Sequence, residues 1–265
     1  MWPYLKGILP ALVVAVIVVG CANPYETSYR PINVSSITPP AQFTGEPRLE
    51  AASSDNGRSE IFRMYQDGYG LIGVSAFVSE AHSASEVLAQ AKKVGAAVVV
   101  VQRKYRNTET GVRTIDVPTV NTVDSSGTIY GSGGSASYSS TSTVYGTRTE
   151  AIPYSADKFT HEALYFVPLQ RVGPGILMSP MTDEQKRIAE TNQGSAVVAV
   201  RKDSPAYKAD IVPGDIILSI DGYKILDRSS TAAALDSTQG REATYVLMRN
   251  GRRLEKKVAV PVGTW

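Results

Sequence analysis

The sequence predicts an α+β fold in two units behind an amino-terminal leader, and three observations carry that prediction. Between residues 70 and 101 an apolar run, a helical pattern and a second apolar run follow one another with short links. Glycine pairs and an Asn-Gly step interrupt stretches rich in Thr, Tyr and Val, which is how hairpins are punctuated. A chain of 265 residues, 43% hydrophobic and 20% charged, has room for one large or two small domains with ordinary cores.

The same composition excludes several function classes. Formal charge is +2, from 27 basic against 25 acidic side chains, too balanced for a protein that works by coating nucleic acid. A single Cys rules out a disulfide framework and a four-Cys zinc site. The two histidines, His82 and His161, lie far apart and give no metal-ligand spacing. Neither a metal nor a cofactor is expected.

Residues 1–20 read as a signal peptide. Lys6 is the only charged side chain, and the apolar stretch from Ile8 to Val19 makes about 18 Å of helix, short of the ~30 Å hydrocarbon core. A short apolar core behind a basic start is the pattern of a secretory signal. It ends in Val18-Val19-Gly20-Cys21, which resembles the bacterial lipobox. The resemblance implies lipidation at Cys21, and Ala22 in the next position implies the outer membrane, facing the periplasm. Each buried methylene contributes ~0.8 kcal/mol, so a multiply acylated Cys21 is a lasting anchor in the lipid bilayer. Residues 21–58, with Pro24, Pro31, Pro39, Pro40 and Pro47, read as a Pro-rich tether.

Residues 59–168 form the first folded unit. A short helix is expected over Ser59–Gln66 and a buried strand over Gly70–Val78. Ser83 with Glu86 three residues on has capping-box spacing. Val87, Leu88, Ala91 and Val94 share one helical face, and Gly95 stands where the helix should stop. The run Ala96–Val101 is continuously apolar, as a strand covered on both faces requires. Strand, helix and strand with short links predict a βαβ unit with a parallel pair and a right-handed crossover. From residue 119 to 149 most positions are Ser, Thr, Gly or Tyr, with Gly133-Gly134 as a turn signal. A flexible insert and a long β-hairpin both fit; the strand preference of Thr and Tyr favours the hairpin. Glu162–Val167 is read as a further strand closing this unit, which is loosely similar to modules of uncharacterised bacterial lipoproteins.

Residues 169–263 carry the most specific pattern. Ser204-Pro205-Ala206 leads through Lys208-Ala209-Asp210 to Pro213-Gly214-Asp215-Ile216-Ile217-Leu218-Ser219-Ile220-Asp221-Gly222. A strand over Ala196–Val200 precedes it. A helix over Ser229–Leu235 and strands over Thr244–Arg249 and Glu255–Val260 follow, the last two joined by Asn250-Gly251. This resembles the PDZ domains of HtrA-type proteins, which implies a partly open β-barrel with two helices. Pro205, Gly214 and Gly222 have backbone roles first.

The resemblance places a peptide groove between the first strand of this unit and its longer helix, where an extended chain adds as a strand and its carboxylate meets the amides of a Gly-containing loop. The matching positions are Gly173-Pro174-Gly175-Ile176, followed by Leu177 and Met178. Arg171 adds a positive charge, and Thr231 and Leu235 lie one turn apart on the helix; Leu235 reads equally well as core. Pro174 departs from the family pattern: it has no N–H, which weakens terminal-carboxylate capture and leaves room for an internal peptide. Thr182–Asn192 is an insertion whose Asp183, Glu184 and Gln185 start a short helix near the groove mouth.

HtrA-type PDZ domains often accompany a serine protease. Gly131-Ser132-Gly133-Gly134, with His82 and Asp116 or Asp124, supplies the letters of a triad. The space between tether and PDZ-like unit is too short for the two-barrel protease fold, and the βαβ unit has the wrong topology. The expectation is therefore no enzyme but an envelope lipoprotein that binds an extended or C-terminal peptide of a partner protein, as a scaffold or adaptor, at the micromolar strength of such grooves, about −8 kcal/mol. A self-assembling surface lipoprotein that pairs through its Ser/Thr/Tyr-rich hairpin is the alternative, and a relative or regulator of HtrA-type serine proteases a third reading.

Overall fold

The computed structural model describes residues 22–32, 43–169 and 173–262. Cys21, the signal peptide and Arg171 lie outside the described residues.

Two sheets organise the chain. The first has the order β1-β3-β5-β4-β2, from β1 (Tyr29–Pro31), β2 (Arg48–Ala51), β3 (Tyr69–Ser79), β4 (Val98–Gly131) and β5 (Gly134–Pro168). Helix α2 (Gly57–Gln66) covers one face, with Met64 packed on Val98, Val100, Leu164 and Phe166. On the other face lie α1 (Pro24–Thr27) and α3 (Ala84–Lys93), where Tyr25, Val87 and Ala91 pack on Val99, Ala163 and Tyr165. The run at 96–101 is therefore covered on both sides, as its unbroken apolarity predicts. The expected capping box is present: Glu86 N donates to Ser83 Oγ at 3.3 Å and Ser83 N donates to Glu86 Oε2 at 2.7 Å. Gly95 takes a left-handed φ of 70° just after the helix.

Three expectations for this unit are corrected. The strands flanking α3 are parallel in direction but not a pair, because β5 lies between them and is antiparallel to both. Burial of the apolar strand β5 on both faces drives this insertion: Ala163 to Val167 are all nearly inaccessible. A parallel pair does exist, between β2 and the start of β4, from Arg48↔Val98 to Ala51↔Val101. The strand at 162–167 is also no separate element. It is the base of one continuous hairpin running from Val98 to Pro168, whose arms meet at Gly131↔Gly134. The favoured hairpin thus extends well beyond 119–149, and Ser132-Gly133 is its two-residue loop. Finally, the expected tether is not a uniform spacer. It contains α1, β1 and β2, and Tyr25 within it is only 1% exposed.

The second sheet has the order β11-β10-β8-β7-β6, with β9 beside β8. Its strands are β6 (Ile176–Pro180), β7 (Ser195–Val200), β8 (Ile216–Ile220), β9 (Tyr223–Lys224), β10 (Glu242–Arg249) and β11 (Arg252–Ala259). The sheet is open, with β6 and β11 at its ends. Helices α4 (Asp183–Ala189), α5 (Pro205–Lys208) and α6 (Arg228–Ser237) complete the unit. Its core gathers Val197, Ile211, Ile217, Ile220, Leu235 and Leu247. Asn250 and Gly251 adopt φ of 50° and 75°, the paired left-handed angles that let a two-residue turn follow the twist of its strands.

Candidate functional site

The site predicted from the sequence is built from β6, the loop before it and α6. Strand β6 is antiparallel to β7, from Ile176↔Val200 to Pro180↔Ser195, with a bulge between Leu177 and Met178. Among the described residues its other edge pairs with nothing. A bare edge offers a row of amides and carbonyls to an incoming chain. Ile176 and Met178 pack toward the core cluster that contains Leu235, and Leu177 is half-buried outside it.

The loop is held rigidly from behind. Ala206 N donates to Pro174 O at 3.0 Å and Arg201 N donates to Gly175 O at 2.9 Å, so the Ser-Pro-Ala turn fixes the first carbonyl and the end of β7 the second. Gly173 and Gly175 have φ of 36° and 81°. A Cβ at Gly175 would stand 2.3 Å from Ser204 Cβ, so both the backbone angle and the contact require glycine there. The Gly175 N–H has no partner among the described residues, while Pro174 supplies none. Pro174 thus removes one of the amides that such a loop would otherwise carry.

Helix α6 starts at the capping residue Asp227, whose Oδ1 accepts from Ser230 N at 2.8 Å. Four amide and hydroxyl contacts from Ser229 and Ser230 hold the Asp227 carboxyl below its ordinary value. Thr231 and Leu235 lie one turn apart, 9% and 8% exposed. Thr231 Oγ1 donates back to Asp227 O at 2.8 Å, which occupies its proton within the helix. The structure therefore places Gly173 and Gly175 at the start of β6 and packs Ile176, Met178 and Leu235 into one core cluster.

Two features of this domain are not legible in the sequence. The first is its contact with the amino-terminal unit. Lys202 N donates to Gln66 O at 2.9 Å, and Lys202 Nζ lies 2.6 Å from Asp67 Oδ1. The end of α2 thus sits one residue from the Arg201 amide that pins Gly175, and burial of the neighbouring Tyr65 pushes its phenol up to about 12. The second is the fixing of the domain's lower turn. Asp215, fully buried, accepts two bonds from Arg249 (Nε 2.7 Å, Nη2 2.9 Å) and one from Val212 N at 3.0 Å. Only the amide contact is a local bond of the kind its sequence position suggests.

The chain's two histidines, of which the sequence suggests a polar residue before a helix cap (His82) and a loop residue (His161), are brought together instead. His161 lies on β5, 1% exposed, with its Nδ1 2.5 Å from His82 Nε2, and Tyr25 Oη is 2.8 Å from His82 Nδ1.

The comparison with protein families covers the second sheet from β7 to β10. The PDZ domain family matches residues 197–249. The solved HtrA-type protease AlgW with a decapeptide is 27% identical over 34% of this chain and 29% of its own length, with a TM-score of 0.30. The same type of protease with a tripeptide is 22% identical over 37% of this chain and 39% of its own, with a TM-score of 0.29. A PDZ domain protein from Parabacteroides distasonis is 12% identical over 88% of this chain and 70% of its own, with a TM-score of 0.20. The chain thus spans well under half the length of these proteases. Residues 197–249 are a PDZ domain, the kind of module that binds peptides by strand addition.

Proposed function

We propose that this protein is an envelope lipoprotein, anchored in the outer membrane through acylated Cys21, whose PDZ domain recruits a partner protein by taking an extended segment as a strand beside β6. The observation that carries the reading is the outer edge of β6, which pairs with nothing among the described residues and follows directly on the Gly173–Gly175 loop. With one loop amide replaced by Pro174, internal segments are taken as readily as chain ends. Lipid and groove act together: the anchor confines the domain to a surface, so partners on that surface meet it at high effective concentration. The activity is binding, with no catalytic step.

A photo-crosslinking residue at Met178 in the full chain, expressed in living bacteria, tests this. The expected result is a discrete adduct with an envelope protein, lost when Ile176→Asp puts a charge beside the edge. Absence of an adduct, or an adduct indifferent to Ile176→Asp, refutes groove recruitment. Labelling with a radioactive fatty acid that survives in the wild type and vanishes in Cys21→Ser tests the anchor separately.

A further inference from the structure

Among the described residues the hairpin beyond the first sheet has no partner. From Asn107↔Lys158 to the Gly131↔Gly134 turn, β4 and β5 pair only with each other. That is roughly 25 residues per strand, an arm about 80 Å long at ~3.3 Å per residue. Two strands alone are marginal in water; a hairpin of this length needs a third strand or a second layer.

Its two faces differ. Direct cross-strand pairs share a face, so the register divides the arm into two sets. One set is written in Thr, Ser and Asp, and its repeating element is a cross-strand hydroxyl–carboxylate bond. Thr108 bonds Asp157 at 2.6 Å, Thr149 bonds Asp116 at 2.7 Å, and Thr141 bonds Asp124 at 2.7 Å. These pairs recur every eight residues and are satisfied within the arm. Val112, Val120, Tyr130 and Tyr145 are scattered among them. The other face brings together Ile115, Val123, Ile129, Val144, Ile152 and Tyr154, each about two-fifths exposed or more. Glycines on this face are roofed by tyrosine: a Cβ at Gly127 would meet the Tyr138 ring at 2.7 Å, and one at Gly111 the Tyr154 ring at 2.8 Å. At the base of the face, Arg113, Ile115, Ile152 and Tyr154 with Glu80 line a concavity of about 340 Å³. Charges of both signs flank the apolar positions, with Arg148 paired to Glu150, so two such faces do not repel one another.

We infer that the arm is a self-association element: the apolar faces of two copies of this chain pack against each other as a two-layer ribbon. The area supports a second copy as the occupant. A face about 80 Å long and roughly 10 Å wide covers about 800 Å² per partner, the size at which specific protein–protein interfaces are stable. A twofold axis lets one patch serve both sides. The inference is independent of the peptide groove, which lies in the other sheet.

The test is face-specific. Val123→Lys/Val144→Lys charges the apolar face, and Thr122→Lys/Thr143→Lys charges the opposite face at adjacent pairs. Sedimentation equilibrium of the full chain in mild detergent is expected to give a dimer. The Val pair should weaken it at least tenfold, and the Thr pair by less than about threefold. In living cells, a photo-crosslinking residue at Val123 should yield a homodimer, and one at Thr122 should not. The inference is overturned if the wild type is monomeric without a Val123 homodimer, or if both Lys pairs act equally, which would indicate edge pairing. Val123 adducts with lipid alone would also overturn it, since the bilayer would then be what covers the face. Circular dichroism of each variant checks that the strands survive.

Discussion

His82 and His161, 79 positions apart in sequence, meet ring to ring: His82 Nε2 lies 2.5 Å from His161 Nδ1. One proton arrangement satisfies every atom of the chain of contacts. The Tyr25 hydroxyl donates to His82 Nδ1, His82 Nε2–H donates to His161 Nδ1, and His161 Nε2–H points to Ser79 O at 3.4 Å. His161 is then neutral, and a further proton on its Nδ1 would put N–H against N–H. Phe77 stacks on the His161 ring, the Arg103 charge also opposes protonation, and among the described residues no carboxylate is bonded to either ring. Burial first and the His82 neighbour second hold His161 below its ordinary value of 6.5.

The pH dependence follows. Below pH 6.5 the unfolded chain binds a proton at His161 that the folded chain resists, so stability present at neutral pH is lost as pH falls through 6.5 toward the lower folded value. Urea midpoints measured from about pH 7.5 to about pH 5 should fall on acidification, with a flatter slope in His161→Gln. Because Tyr25 ties α1 to this pair, amide exchange on residues 23–31 should quicken first.

Arg249→Ala should cost about 3–5 kcal/mol, because it leaves the fully buried Asp215 carboxylate without its paired cation. Arg249→Lys should recover only part of the loss, since a single ammonium does not reproduce the two-bond contact of the guanidinium. Urea unfolding followed by the near-ultraviolet signal measures both.

Gly175→Ala should destabilise the PDZ domain by about 2 kcal/mol or more, from a left-handed backbone angle and a Cβ pressed on Ser204. It should also weaken crosslinking from Met178, because the loop that positions β6 must shift. Unchanged stability would mean the Arg201 and Ala206 contacts do not hold the loop.

Ser83→Ala should cost about 1 kcal/mol by freeing the Glu86 amide at the start of α3. Ser83→Asp should be close to neutral. Thermal unfolding of the two variants beside the wild type decides it.

Sequence alone was enough wherever a short-range rule acts. The Ser83–Glu86 capping box, the Asn250-Gly251 turn and the apolar run at 96–101 are set by neighbours within a few positions, and each appears as read. The PDZ pattern was legible for the same reason: Ser204-Pro205-Ala206 and Gly214-Asp215 encode turns and a helix start in consecutive residues. Only the tertiary structure placed β5 between β3 and β4, because an apolar strand that returns from a long hairpin is drawn to the most buried slot, wherever its neighbours in sequence lie. Only it joined His82 to His161, Asp215 to Arg249 and Lys202 to the end of α2. These contacts link residues tens to more than a hundred positions apart. Such partners are chosen by the geometry of packed sheets and leave no spacing or periodicity in the chain.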